Sequence, residues 1–162
     1  MATGWQLSDD GKSMTLSVSS KDWSGLPLIA PFVEEGSVEA ARGFWVTRPW
    51  SDDARCPPPA ATSALGLERS IGIATLFAAE SSRVGRLTEP LRATVSLNEP
   101  RDFGAGLQLA VAGRIARWPD GRAIRCRSED PMLRPSCLVA ADIDRISVVD
   151  PATGETLSTW NP

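Results

Sequence analysis

Carboxylates, thiols and arginines carry whatever chemistry this 162-residue chain can do, because it contains no His and no Tyr. That removes imidazole bases, Ser-His and Cys-His nucleophile pairs, His-ligated metals and tyrosyl acids. Among the acids, Glu34-Glu35 and Asp52-Asp53 are simple neighbours, while Asp142 and Asp144 stand two apart in strand-like sequence. Such spacing puts both carboxyls on one strand face, roughly 6–7 Å apart, not far from the ~5–5.5 Å that retaining glycosidases use. A carboxylate-dependent hydrolase is thus one reading, and a solvated acidic turn is the plainer one. Calcium is disfavoured by the lack of a D-x-D-x-D-G loop and by Arg145 next door. Ser70 is outside any G-x-S-x-G, and Gly104-Ala105-Gly106 lacks the third glycine of a dinucleotide loop. The sequence predicts no enzyme, no catalytic residue, no metal site and no cofactor.

Three cysteines are present, Cys56, Cys126 and Cys137, none in C-x-x-C spacing. Cys126 and Cys137 flank a short loop containing Pro131 and Pro135. They read either as a disulfide that closes this loop in an oxidising compartment, or as two small buried hydrophobes in strands. Cys56, beside Pro57-Pro58-Pro59, reads as loop-borne and exposed.

The densest charge lies between residues 114 and 127, where Arg114, Arg117, Arg122, Arg125 and Arg127 face Asp120 alone, on a chain of net charge −3. Trp118-Pro119-Asp120-Gly121 is a type I turn sequence, so the region reads as a hairpin. A two-residue loop would pair Ile115 with Ile124 and Arg114 with Arg125. A bulged Gly121 would instead pair Trp118 with Arg122 and Arg114 with Cys126. Arginines in this arrangement serve either as edge protection or as a patch for an anionic partner. Specific nucleic-acid recognition is not expected, since such sheets interleave several aromatics and only Trp118 is available. The second candidate is the run from Phe44 to Trp50, where Trp45, Arg48 and Trp50 are of the types enriched at interface hot spots; packing of Trp45 beneath the following loop is the alternative. The candidate binding set is Trp45, Arg48, Trp50, Arg114, Arg122 and Arg125.

The elements that must position these groups are short strands. Trp5 and Leu7, then Met14, Leu16 and Val18, alternate about Asp10-Gly11 and predict a hairpin. Residues 43–48, 71–79, 92–98, 107–116, 123–126, 137–150 and 155–160 read as further strands, a buried helix being the competing reading for 71–79, with a bulge or bend near Asp142 and Asp144 where the apolar parity slips. Helix is expected only as short turns near 37–42, with Gly43 as its C′ residue, and near 62–70. Residues 51–61, with three consecutive prolines, read as a long surface loop.

Eight or nine strands without intervening long helices predict one all-β domain over residues 1–162, an antiparallel β-sandwich or partly open barrel with one Pro-rich loop. No run of apolar residues approaches the ~20 that a transmembrane helix needs. The expected function is that of a non-enzymatic binding module, periplasmic or secreted, whose signal peptide is not part of this chain. Its expected partner is a protein, with an envelope glycan or other anionic ligand second. The alternative is a structural component of a larger assembly, a virion or surface appendage, with a cytoplasmic or virion-associated location.

Overall fold

Alternation of apolar and polar residues is what makes the first two strands. In β2 (Ser13–Val18) Met14, Leu16 and Val18 are buried, and β1 (Gly4–Leu7) pairs with it antiparallel from Gly4 opposite Ser17 to Leu7 opposite Met14. The turn between them is held by Ser8 N–H on the Ser13 carbonyl and Gly11 N–H on that of Ser8, with Gly11 at φ 65°. A positive φ there is what Asp-Gly supplies without steric cost. The computed structural model describes residues 3–46, 71–78, 88–104, 106–128, 130–131 and 135–162. The expected loop 51–61, the helical turn 62–70, Arg48, Trp50 and Cys56 lie outside the described residues.

Among the described residues the fold is all-β: mostly strands, almost no helix, and several sheets that do not close, as in a sandwich or open barrel. After β2 follow β3 (Lys21–Asp22), α1 (Ala30–Glu34), β4 (Ala40–Trp45), β5 (Ile71–Phe77), β6 (Leu91–Ser96), β7 (Gln108–Ile115), β8 (Ile124–Arg127), β9 (Ser136–Val149) and β10 (Thr156–Trp160). One sheet has the order β1-β2-β6; the other runs β10-β9-β5-β4-β3, with β7 and β8 also on β9. Two compact units share these strands. One comprises Met1–Ser20, Ser82–Arg114 and Ile143–Pro162, the other Lys21–Ser81 and Ile115–Asp142.

In the first unit β6 joins β2 antiparallel, Ser13 opposite Ser96 through Val18 opposite Leu91. Met14, Leu16, Val18, Leu97, Phe103, Ile143, Ile146 and Val148 are its buried apolar residues. Trp160 at the end of β10 donates its indole N–H to the Arg92 carbonyl on β6, 3.3 Å away. Trp5 meets Phe103 edge-on at 5.6 Å.

The second unit packs its core on one face of a sheet. Cross-strand registers put Ala41, Gly43 and Trp45 of β4 beside Leu76, Ala74 and Gly72 of β5, and Leu138 and Ala140 of β9 beside Gly72 and Ala74. Trp23, Ile29, Phe32, Val38 and Trp118 cover this face. The Trp23 ring lies over two glycines, so close that a Cβ on Gly43 or Gly72 would fall 2.3 or 2.6 Å from it. Trp23 is held by its own N–H on the Ala41 carbonyl, and by a relay in which Ser24 Oγ donates to Asp22 and accepts from Ala41 N–H.

Three expectations are corrected. The helical turn is not at 37–42, where β4 begins at Ala40; it is α1, with Pro31 in its first turn. Gly36, not Gly43, ends it: at φ 77° its N–H bonds the Val33 carbonyl while Ser37 N–H bonds that of Phe32, the Schellman pattern. Secondly, not all pairing is antiparallel, since β5 and β9 run parallel from Ile71 opposite Cys137 to Ala74 opposite Ala140. Thirdly, β7 and β8 are not the two arms of a hairpin. Both pair with β9, and residues 116–123 leave its edge and return at the same point, Ala116 N–H bonding the Ala140 carbonyl and Ala140 N–H that of Ala123.

Candidate functional site

The arginine-rich segment is organised by that excursion. Trp118 N–H bonds the Arg122 carbonyl at 2.7 Å, Gly121 N–H bonds that of Trp118 at 2.8 Å, and Gly121 sits at φ 83°. The bulged register therefore holds inside the turn, although Arg114 pairs with neither Arg125 nor Cys126. Arg117 Nη1 donates to the Gly121 carbonyl at 2.8 Å, and Asp120 accepts from Arg122 N–H at 3.1 Å. The loop thus braces itself, with buried Trp118 as its root.

Arg125 belongs to the core side of β8. It opposes Leu138, its guanidinium lies 4.6 Å from the Phe32 ring centre and 5.9 Å from that of Trp118, and its Nη1 bonds Asp120 Oδ2 at 2.7 Å. A cation stacked on two rings and tied to a carboxylate holds α1 and the loop to the sheet. Arg122 is different: its side chain is 74% exposed and its Nε is 3.9 Å from Asp120. Arg114, in the other unit, is 73% exposed and pairs with Asp144 at 3.6 Å. Trp45 is half-buried against Trp23, ring centres 4.8 Å apart, so it supports the core where an exposed anchor was an alternative. Of the two spaced acids, Asp144 makes an exposed ion pair with Arg114. Among the described residues no group of three or more His, Cys, Asp or Glu could hold a metal ion.

Cys126 and Cys137 form a disulfide, Cα atoms 4.0 Å apart, directly opposite each other on β8 and β9. The Ala140 N–H to Ala123 bond marks that pair as hydrogen-bonded; three steps along, the cysteines fall on a non-hydrogen-bonded pair, where opposed residues approach most closely.

What sequence reasoning missed is the sheet face opposite the core. Phe44 opposes Ile73, Ile73 opposes Val139, and Val139 opposes Ile124, an apolar row across four strands. The first three are half-buried and Ile124 is 53% exposed. Ile115, where the 116–123 excursion begins, is 68% exposed. Two exposed isoleucines therefore bracket a loop bearing Arg117 and Arg122, with Arg127 just beyond. The alternation Ile124-Arg125-Cys126 carried the signal that isoleucine and disulfide share a face away from Arg125. Comparison of the chain with protein-family models, with curated proteins and with solved structures gives no match.

Proposed function

We propose that this protein is a non-enzymatic interaction module of the periplasm or the extracellular space, and that it binds a protein partner at the β8 edge of its second unit. The observation that carries this reading is the pair of exposed isoleucines, Ile115 and Ile124, bracketing a braced loop with an exposed arginine. Large apolar side chains rimmed by charge are what interface cores with polar rims are made of. Arg117, Arg122 and Arg127, beside an Asp120 already held by Arg125, favour an acidic partner surface, chiefly through its rate of encounter. The Cys126–Cys137 disulfide supports an oxidising compartment. No helix among the described residues is long and apolar enough to cross a membrane.

The test is a photo-reactive residue at position 124 in the native host, followed by affinity measurement on the cross-linked partner. Ile115→Ser with Ile124→Ser should weaken binding at least about ten-fold, that is by about 1.4 kcal/mol, while leaving the melting temperature unchanged. Arg122→Ala with Arg127→Ala should slow association and flatten its salt dependence. Unchanged affinity in the isoleucine double variant refutes the site.

A further inference from the structure

The first unit contains a trough unrelated to the arginine loop. It lies between β7, β9 and β10, has a volume of about 400 Å³, and is lined by Ala110, Ala112, Arg145, Ser147, Thr156 and Thr159 together with valines. This size is in the range of small-molecule sites. Its floor is small and apolar, which leaves room for a flat ring above the strands.

Its polar wall is built by an irregularity in the backbone. Thr156 and Thr159 are three residues apart, an odd step that in a regular strand sends side chains to opposite faces. Here Thr156 opposes Val149 and Thr159 opposes Ser147, so both threonines fall on the face shared by Ser147 and Val149. The register shift between Thr156 and Ser158 is what allows it. Bulges next to binding sites re-aim side chains in this way. Ser147 Oγ and Thr159 Oγ1 share a hydrogen bond of 3.0 Å, which leaves the pair one O–H to donate and lone pairs to accept.

At the end of the wall stands Arg145, exposed and with no side-chain partner among the described residues. Its neighbour Asp144 is taken by Arg114. One planar guanidinium matches one planar carboxylate in a two-point contact, whereas a phosphate dianion would call for more positive charge than the trough offers. Hydroxyls beside it match the hydroxyls of a sugar ring.

From this we infer that the trough is a binding site for a small hydroxylated carboxylate, of the chemical class of the sugar acids. The carboxylate lies on Arg145, and the ring lies over Ala110 and Ala112 with its hydroxyls toward Ser147, Thr156 and Thr159. The site uses none of the residues assigned to protein binding, so either reading can fail without the other.

Titration of the ¹⁵N-labelled protein with D-glucuronate tests it. Saturable shifts at the amides of Ala112, Ser147 and Thr159 are expected, at least ten-fold weaker with D-glucose, which lacks the charge, or acetate, which lacks the ring. Arg145→Gln should weaken glucuronate binding at least ten-fold, and Thr156→Val several-fold, each with the rest of the spectrum intact. Ala112→Phe should block binding by filling the floor, and the two exposed-position variants keep the test valid should it fail to fold. A disaccharide ending in glucuronate that binds more tightly than the free acid identifies a glycan end as the ligand; equal binding identifies the free acid. No saturable shift with glucuronate, or equal affinity in Arg145→Gln, overturns the assignment.

Discussion

Adding one methyl group at Gly72 should cost more stability than its size suggests, because the space is already occupied by a ring that cannot easily leave. A Cβ there would lie 2.6 Å from Trp23 Cη2, 2.8 Å from Leu138 Cδ2 and 3.1 Å from Trp23 Cζ3. Restoring ordinary contact at 3.4 Å requires the indole edge to retreat by about 0.8 Å. Trp23 is 3% exposed and packs against Trp45 at 4.8 Å, and Leu138 is fully buried, so there is no slack for that retreat. Overpacking of this kind costs about 1–3 kcal/mol, offset by the ~0.5–1 kcal/mol that alanine gains over glycine in a strand. The middle of these ranges leaves a net loss of about 1 kcal/mol, or roughly 2–4 °C in melting temperature for a chain of this length. Gly43→Ala should be worse, since its Cβ would also meet the Ile73 carbonyl at 2.3 Å, a backbone atom fixed by the β4–β5 ladder.

Urea melts followed by tryptophan emission provide the measurement, with near-UV circular dichroism reporting the Trp23–Trp45 pair. Gly4→Ala is the control: nothing lies within 4 Å of its Cβ position, so it should be neutral or slightly stabilising. Trp23→Phe, by shortening the ring, should relieve part of the Gly72→Ala penalty, giving a coupling of about 1 kcal/mol in a double-mutant cycle. If Gly72→Ala melts with the wild type, or if the cycle shows no coupling, the close seating of Trp23 on the two glycines is wrong.

Replacing Cys126 and Cys137 together by serine should lower stability by about 2–3 kcal/mol in denaturant melts, given the sequence separation of 11 between them; thiol titration of the unfolded, non-reduced chain should find one free thiol of the three cysteines. Arg125→Ala should destabilise by about 1–2 kcal/mol through loss of its ring stacking and its Asp120 contact, whereas Arg122→Ala should stay within about 0.5 kcal/mol in the same thermal melts. Asp22 has its carboxyl held below the ordinary aspartate value, chiefly by the Ser24 N–H and next by the Ser24 hydroxyl. Because the folded value is the lower one, the stability it gives is present at neutral pH and is lost as the pH falls through that value; the difference between wild type and Asp22→Asn should therefore shrink in acid melts.

Where local chemistry decides the outcome, the sequence was readable. Asp10-Gly11 between two alternating runs specifies a hairpin, and β1 and β2 form it in the expected register direction. The helix was readable too, through Pro31 near its start and Gly36 past its end, but the competing pattern Ser37 to Gly43 drew the assignment seven residues too far along. Gly43 is a glycine for a different reason, the Trp23 ring above it, and a contact made from twenty residues away leaves no trace in a local pattern. The same distinction explains the arginine segment. Pro119-Asp120-Gly121 encodes a reversal, which occurs, but it does not encode which strand the flanking residues choose. The fourteen-residue β9 supplies a longer ladder than the two arms could give each other, and both took it.

Both candidate sites depend on this non-local choice. Ile124 belongs to an apolar row only because Val139, Ile73 and Phe44 lie level with it across three further strands, and each of those alignments is a long-range register. Thr156 and Thr159 read, by spacing alone, as residues of opposite faces, and one inserted residue reverses that reading. Composition could exclude histidine chemistry and mark the arginines. Whether an arginine braces a core, as Arg125 does, or has no side-chain partner among the described residues, as with Arg145, is settled by the strand that lies beside it.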